Sequence, residues 1–523
     1  MRPPRLPENG RVAERHRPEP VLFRGCSPEV LAGPDGRILA VGTAAGRMGS
    51  SARVVELAGR ALPGLGDAHI HLDELVRLRL SLDLTEVRTV GELLRRVRAR
   101  SRRRGPTDWV VGSGWSDRLW AGGGRPHRSD LDRAGGGRPV LLLSRDEHSV
   151  WASTRALALA GIAGQGPDPH PMVVERDPLG EPTGVVREGG SAFLRLLPSP
   201  DPAAYERELE RVLRRLVGLG LCSVHSMDPP RTFAALQGLR DRGRLPLRVT
   251  YNLPAERLAD AGRLGLRQGL GDAWLRVYGI KAFVDGSLGS GTAEMLGGGG
   301  VARLSDRELE ELVQLASSCQ LNLCLHAIGD GAVHRALLAL RAGVGSWRGW
   351  RPRIEHAQLV DPADVPLFLE VGAVASMQPL HAPADRELAD RRWSELTGHA
   401  YAWRMLRRGG VPLAFGSDAP VESPDPLLGI DAATGWRRRA GWHPELALSR
   451  PEAVAAYTRG VAFAAGVERD EGRLRPGYRC DLTVVHRGRV VATVVGGRQI
   501  EPGRAAGRWA GRGRDAGSSA GPQ

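Results

Sequence analysis

Between residues 63 and 465 short apolar runs alternate with longer stretches in which apolar residues recur every three or four positions. The runs are ALPGLGDAHIHL, GLCSVHSMD, LRVTYNL, VYGIKAFVDG, LNLCLHAIGD, RPRIEHAQL, GAVASMQPLH and PLAFGSDAPV, and stretches such as SDRELEELVQLASSC and GAVHRALLALRAG stand between them. A short apolar run followed by an amphipathic helix is the pattern of a parallel β/α domain. Eight such units predict an α/β fold of the (β/α)8 TIM-barrel type, whose sites lie where strands end and loops begin.

Two departures from the alternation predict further domains. Residues 19–62 hold the strand-like runs VLFRG, RILAVG and ARVVEL, and residues 466–503 hold CDLTVVHRGR and VVATVVGGRQI. Both sets are broken by Gly/Asp turns, so they are expected to form one small β-sandwich domain from both chain ends. The 147 residues of 73–219 separate the first and second barrel runs, far more than one crossover helix needs. Within them lie VGELLRRVRARSRRR, DWVVGSGWSDRLW, RPVLLLSRDEHSVW and the hairpin-like MVVERDPLGEPTGVVRE. This predicts an inserted domain over residues 86–200 that walls a substrate pocket, leaving 63–85 and 201–465 as the barrel. Residues 1–18 and 504–523 lack apolar periodicity and are expected to be disordered tails.

Composition narrows the function classes. No run reaches the length of a membrane span, and the N-terminus lacks the apolar stretch of a secretory signal. The five cysteines show no paired spacing, so neither a disulfide framework nor a zinc ribbon is expected, and a reducing cytoplasm fits. A net charge of +14 raises the question of nucleic acid, but the arginines are scattered and no recognition motif accompanies them. Solvated helix faces are the expectation. Of the 73 lysine and arginine residues only Lys281 is lysine. Guanidinium keeps its proton under protein conditions, whereas a buried amine can become neutral and react.

His69 and His71 are two apart on the first run, so both imidazoles point to one face and can meet one cation. Lys281, His326, His356 and Asp418 close four further runs. Singly, each histidine could be a hydrogen-bonded core residue, Asp418 a helix cap and Lys281 half of a buried salt bridge. Together they form a metal-compatible set on one rim. Neutral Lys281 can add CO2 to give a carbamate whose two oxygens bridge two cations. Zn2+ suits the imidazoles, while Fe2+ or Mn2+ suits a mixed nitrogen–oxygen set, and one or two ions are expected.

The segments GSGWSD, RDEHSVW, LALAGI, EPTGVVRE, KAFVDGSLGSGTA, HAIGDGAV, RIEHAQL, ASMQP and FGSDAPVESPDPLLGI extend this pattern. On them the chain resembles the amidohydrolase superfamily, and within it the amidohydrolase-3 group that includes N-substituted formamide deformylase-like proteins, over roughly residues 20–503. Gly66, Gly291 and Gly331 stand where that group often has larger residues. The resemblance implies a metal-dependent hydrolase of a non-peptide C–N bond, in an amide or N-formyl amine. It implies Asp418 as both ligand and proton shuttle, with His326 and His356 holding the second site. It also implies that Trp115, His148 and Asp285 face substrate. Trp120, His225 and Glu188 carry weaker functional claims. The expected partner is a small-molecule amide, without nucleic acid or membrane, and a homo-oligomer is allowed. An ester or cyclic-imide hydrolase and a non-catalytic regulatory barrel stay open as alternatives.

Overall fold

All eight apolar runs become strands of one sheet: Leu65–Ile70, Leu221–Ser226, Arg248–Pro254, Leu275–Phe283, Asn322–Ala327, Arg353–His356, Val374–Met377 and Leu413–Phe415. In this computed structural model, which describes residues 19–115, 125–144, 149–162, 164, 166, 172–187, 193, 196–343 and 349–501, neighbouring strands pair in chain order and in parallel. The sheet closes where Ile70 bridges Ala419, with Asp418 N–H donating to the His69 carbonyl at 2.8 Å and His71 N–H to that of Ala419 at 2.9 Å. The same bonds that close the barrel therefore set His69, His71 and Asp418 side by side. The expected tails and the candidate His148, with Trp120 and Glu188, lie outside the described residues.

Helices cover the outer face because each carries one apolar stripe. Pro202–Gly218 is started by Asp201, whose carboxylate accepts the Ala204 N–H at 2.7 Å, with Pro202 in the first turn. It buries Leu209, Val212, Leu213 and Leu216 in a core shared with Leu75 and Val76 of the helix Leu72–Leu80. Each fully buried leucine contributes about 1.5–3 kcal/mol of hydrophobic stabilisation. Asp306–Ser318 begins with a reciprocal capping box between Ser305 and Glu308. The barrel strands are covered on both faces, which is why Leu65–Ile70 is buried at every position. Gly66 answers to the same crowding: a Cβ there would lie 2.5 Å from Ser223 Oγ and 2.7 Å from Val461 Cγ1.

Both chain ends meet in one seven-stranded sheet. Its N-terminal part includes Val21–Ser27 and Arg53–Pro63, and the join is the antiparallel pairing of Arg53–Pro63 with Leu482–His486. The expected sandwich strands are thus hydrogen-bonded as a single sheet with apolar clusters on both faces, Phe23, Val30, Leu482 and Val494 in one and Leu22, Leu31 and Ala40 in the other. The sheet is fastened to the strand-entry end of the barrel. Arg248, first residue of the third strand, donates to both oxygens of Asp481 at 2.7 and 2.9 Å, and the Thr483 hydroxyl donates to the Gly220 carbonyl at 2.7 Å. This leaves the strand-exit rim clear.

The insert occupies that rim. Its six-stranded sheet begins at Leu82–Asp83, ahead of the boundary expected at residue 86, because Leu82 already pairs with Gly112. Val110–Trp115, Val140–Ser144, Val150–Ala152 and the hairpin Val173–Arg176/Pro182–Arg187 complete it. A cavity of about 670 Å3 lies between insert and barrel, with Glu74, Arg77, Arg100, Trp109, Leu196 and Pro420 in its wall. Among the described residues no helix is long and apolar enough to cross a membrane.

Candidate metal centre

The strand-exit rim gathers imidazoles around one carboxylate. His69 Nε2 lies 3.4 Å and His71 Nε2 3.0 Å from Asp418 Oδ1, while His381 Nε2 lies 3.7 Å and His356 Nδ1 4.0 Å from Asp418 Oδ2. Two compact donor triads result, His69–His71–Asp418 and His356–His381–Asp418, each with its ligand atoms within 4.8 Å of one another. Asp418 belongs to both. It holds this place at a positive φ of 59°, and His356 at 72°, backbone conformations that a non-glycine residue adopts only when its surroundings enforce them.

The tautomer of His69 follows from its neighbours. Glu355 accepts the His69 Nδ1–H at 2.7 Å, so Nε2 carries the lone pair and faces Asp418. That Nε2 is fully buried and has no hydrogen-bond partner among the described residues, and the same holds for His381 Nε2 and Lys281 Nζ. A lone pair and a carboxylate oxygen 3.4 Å apart repel unless a cation lies between them. Orphaned buried donors, two imidazole lone-pair positions and a carboxylate are what a divalent metal takes as ligands. The residues fit the metal.

Electrostatics tune the set. Burial, and next the charge of Lys281, push His69 down to about 4 and His326 down to about 3, and burial holds His356 well below the usual imidazole range. These rings stay neutral, as ligands must. His71 behaves oppositely while its Nε2 bonds Asp418, and a metal taking that nitrogen would have to displace its proton. Burial disfavours its charge, but the hydrogen bond to Asp418 and the fields of Glu74, Asp418 and Asp228 outweigh that and raise it to about 9. Burial likewise opposes ionisation of Asp418, yet the surrounding histidines hold it well below the carboxylate range. Lys281 is lowered, chiefly by burial, and sits in the field of Glu355 and Asp418 with Nζ 4.7 Å from the Phe283 ring centroid.

Behind the rim runs a buried support that sequence reasoning missed. Arg353 and Glu355 are two apart on the sixth strand, so both point inward, and they pair at 2.7 Å with neither side chain exposed. Arg353 also donates to Ser376 Oγ at 2.9 Å and to the His225 ring at 2.8 Å, which makes His225 part of the interior network. His381 was missed as well. It ends the run GAVASMQPLH, and its position directly after the seventh strand was the available signal. Gln358 fixes it, donating to Nδ1 at 2.9 Å.

His326 lies beside the set, its ring centroid 4.5 Å from that of His356, but its Nε2 donates to the Gly286 carbonyl at 2.8 Å and neither triad includes it. Two expected substrate residues are otherwise engaged. Asp285 is fully buried and accepts the N–H groups of Ile328 at 3.1 Å, Gly329 at 2.9 Å and Glu294 at 3.0 Å, so it ties loops together instead of facing a pocket. Trp115 is enclosed in the apolar cluster of the insert, its indole N–H donating to the Leu142 carbonyl at 2.8 Å. Among the described residues this tryptophan packs the insert.

Known proteins resemble this chain along most of its length. The Arabidopsis thaliana protein LONG AFTER FAR-RED 3 is 29% identical over 513 residues, covering 90% of this chain and 87% of its own. An N-substituted formamide deformylase from Arthrobacter pascens is 26% identical over 492 residues, covering 88% and 90%. The crystal structure of an uncharacterized metal-dependent hydrolase from Pyrococcus furiosus superposes with a TM-score of 0.74 at 28% identity, covering 90% of this chain and 99% of that one. The Amidohydrolase family matches residues 53–500, from the strand that joins the two chain ends to the last strand of the same sheet, and the chain belongs to that family.

Proposed function

We propose that this chain hydrolyses a non-peptide C–N bond, in an amide or N-formyl amine of a small molecule, at a metal centre held by His69, His71, His356, His381 and Asp418, with Lys281 and His326 adjoining. The observation that carries the reading is Asp418 shared by two donor triads. When bound, a divalent metal such as Zn2+ supplies Lewis acidity and brings the pKa of water to about 7. Asp418, ionised and buried, accepts the proton of the attacking water and returns it to the departing nitrogen. Glu355 keeps His69 in the tautomer that leaves Nε2 free. Lys281, its amine lowered by burial, would add CO2 with loss of one proton to give a carbamate whose single negative charge is shared by two oxygens able to ligate metal.

The cavity under the insert suits the substrate's body. Glu74 in its wall is one helical turn beyond His71, and Pro420 is two residues beyond Asp418. The similarity to an N-substituted formamide deformylase supports an N-formyl amine as the first substrate class to test. The five unpaired cysteines suit a reducing cytoplasm. Asp418→Asn tests the proton transfer: metal content should persist while hydrolysis of N-formyl and N-acyl amines is abolished, and unchanged turnover would refute the role. Lys281→Arg should lose metal, and full metal with full activity would remove the carbamate.

A further inference from the structure

A second cavity, of about 670 Å3, opens between the composite sheet and the last barrel helices, and none of the rim residues lines it. Five arginines stand in its wall: Arg60, Arg450, Arg459, Arg473 and Arg487. No carboxylate lines it, and none of the five guanidiniums has a carboxylate partner among the described residues. Some exposed arginines elsewhere are paired, such as Arg240 with Asp272 and Arg439 with Asp431, whereas the five around this cavity are all exposed and close no such pair among the described residues. The floor is apolar, made by Leu62, Val454, Leu474 and Val485. Gly472, at a φ of 84°, lets its loop approach the helix so closely that a Cβ would lie 3.0 Å from Arg459 Cα, and this brings Arg473 beside Arg459.

A space of this volume is only about one Debye length wide at physiological salt, so an anion inside it lies within reach of several of the guanidiniums in its wall. An anion in the cavity would meet cations that no carboxylate in the wall compensates. Guanidinium forks match phosphate oxygens in geometry as well as charge. The volume falls in the range of small-molecule sites. We propose that this cavity binds a small organic phosphate, a dianionic head joined to an apolar body, with the arginines taking the phosphate and the Leu62–Val454–Leu474–Val485 floor taking the body.

Calorimetric titration of the metal-loaded full-length protein with octyl phosphate, inorganic phosphate and octanol tests it. Octyl phosphate should bind saturably, inorganic phosphate at least about tenfold more weakly for want of the floor, and octanol not measurably. Affinity should fall steeply with added NaCl, and Arg473→Glu/Arg487→Glu should weaken octyl phosphate at least about tenfold while leaving metal content unchanged. Arg473→Gln/Arg487→Gln removes the two charges without introducing acids and should give an intermediate loss. Absence of saturable octyl phosphate binding would overturn the proposal, and so would binding that both variants retain, which would put the anion at the metal centre.

Discussion

Glu355 is the residue on which the rim and the barrel interior both depend, and Glu355→Gln separates its two tasks. The carboxylate takes the Nδ1–H of His69 at 2.7 Å and pairs with Arg353 at 2.7 Å, all three side chains being fully buried. Glutamine retains the shape but not the charge. Arg353 would then be a buried cation without its counter-ion, a loss that costs about 3–5 kcal/mol of folding stability. His69 would lose a charged acceptor for a neutral amide, which lowers metal affinity about 10–100-fold. Denaturant unfolding measures the first effect and chelator competition the second. Arg353→Met/Glu355→Gln then divides them, because with both charges gone the stability penalty should largely be recovered while the metal-affinity penalty stays. Burial opposes the ionisation of Glu355, but Arg353 and His69 hold its folded pKa well below the usual value. A depressed carboxylate contributes stability that is fully present above its unfolded pKa of about 4.3 and is lost as pH falls through the folded value, so the unfolding penalty of Glu355→Gln should shrink in acid. A variant that keeps wild-type stability and chelator resistance at neutral pH would refute the reasoning.

Three further outcomes follow from the same geometry. His381→Gln should lower metal affinity about tenfold with the fold intact by circular dichroism, since His381 Nε2 is aimed at Asp418 and has no other described partner; unchanged affinity would place His381 outside the ligand set. Asp285→Ala leaves three buried N–H groups without their acceptor and should cost about 2–4 kcal/mol in denaturant unfolding, which a purely substrate-facing side chain would not. Gly66→Val must displace Ser223 and Val461 and should destabilise the barrel by about 1–3 kcal/mol, and a neutral effect would mean the first strand can shift.

How much was legible in the sequence divides along local and non-local lines. Strand identity is a local property of apolar runs, and the helix starts at Asp201 and Ser305 are local as well, so the barrel and its eight strands could be read from the pattern. The rim residues His69, His71, Lys281, His356 and Asp418 were also legible, because a parallel barrel converts the end of each run into a place on one rim. What the runs could not convey is partnership across the barrel. Glu355 and Arg353 read as ordinary charges in a strand until closure makes them face each other and His69, 286 residues from Glu355. The resemblance implied that Asp285 and Trp115 face substrate, but three backbone N–H groups hold the Asp285 carboxylate, and Trp115 packs in the insert's apolar cluster.

The same division applies to the charge of the chain. Scattered arginines look like solvated faces when counted along the sequence, and many are. Arg60, Arg450, Arg459, Arg473 and Arg487 come from four separate segments, two strand ends, a helix and a loop, so no run of sequence reports their convergence. Only the pairing of Arg53–Pro63 with Leu482–His486 against the last barrel helices brings them to one wall. Convergence of like charges has a consequence that scattered charges lack: it is sensitive to salt. The cavity should therefore give itself away even without an identified ligand, as a salt-dependent stability that Arg473→Gln/Arg487→Gln flattens, since repulsion within about one Debye length is what added salt screens.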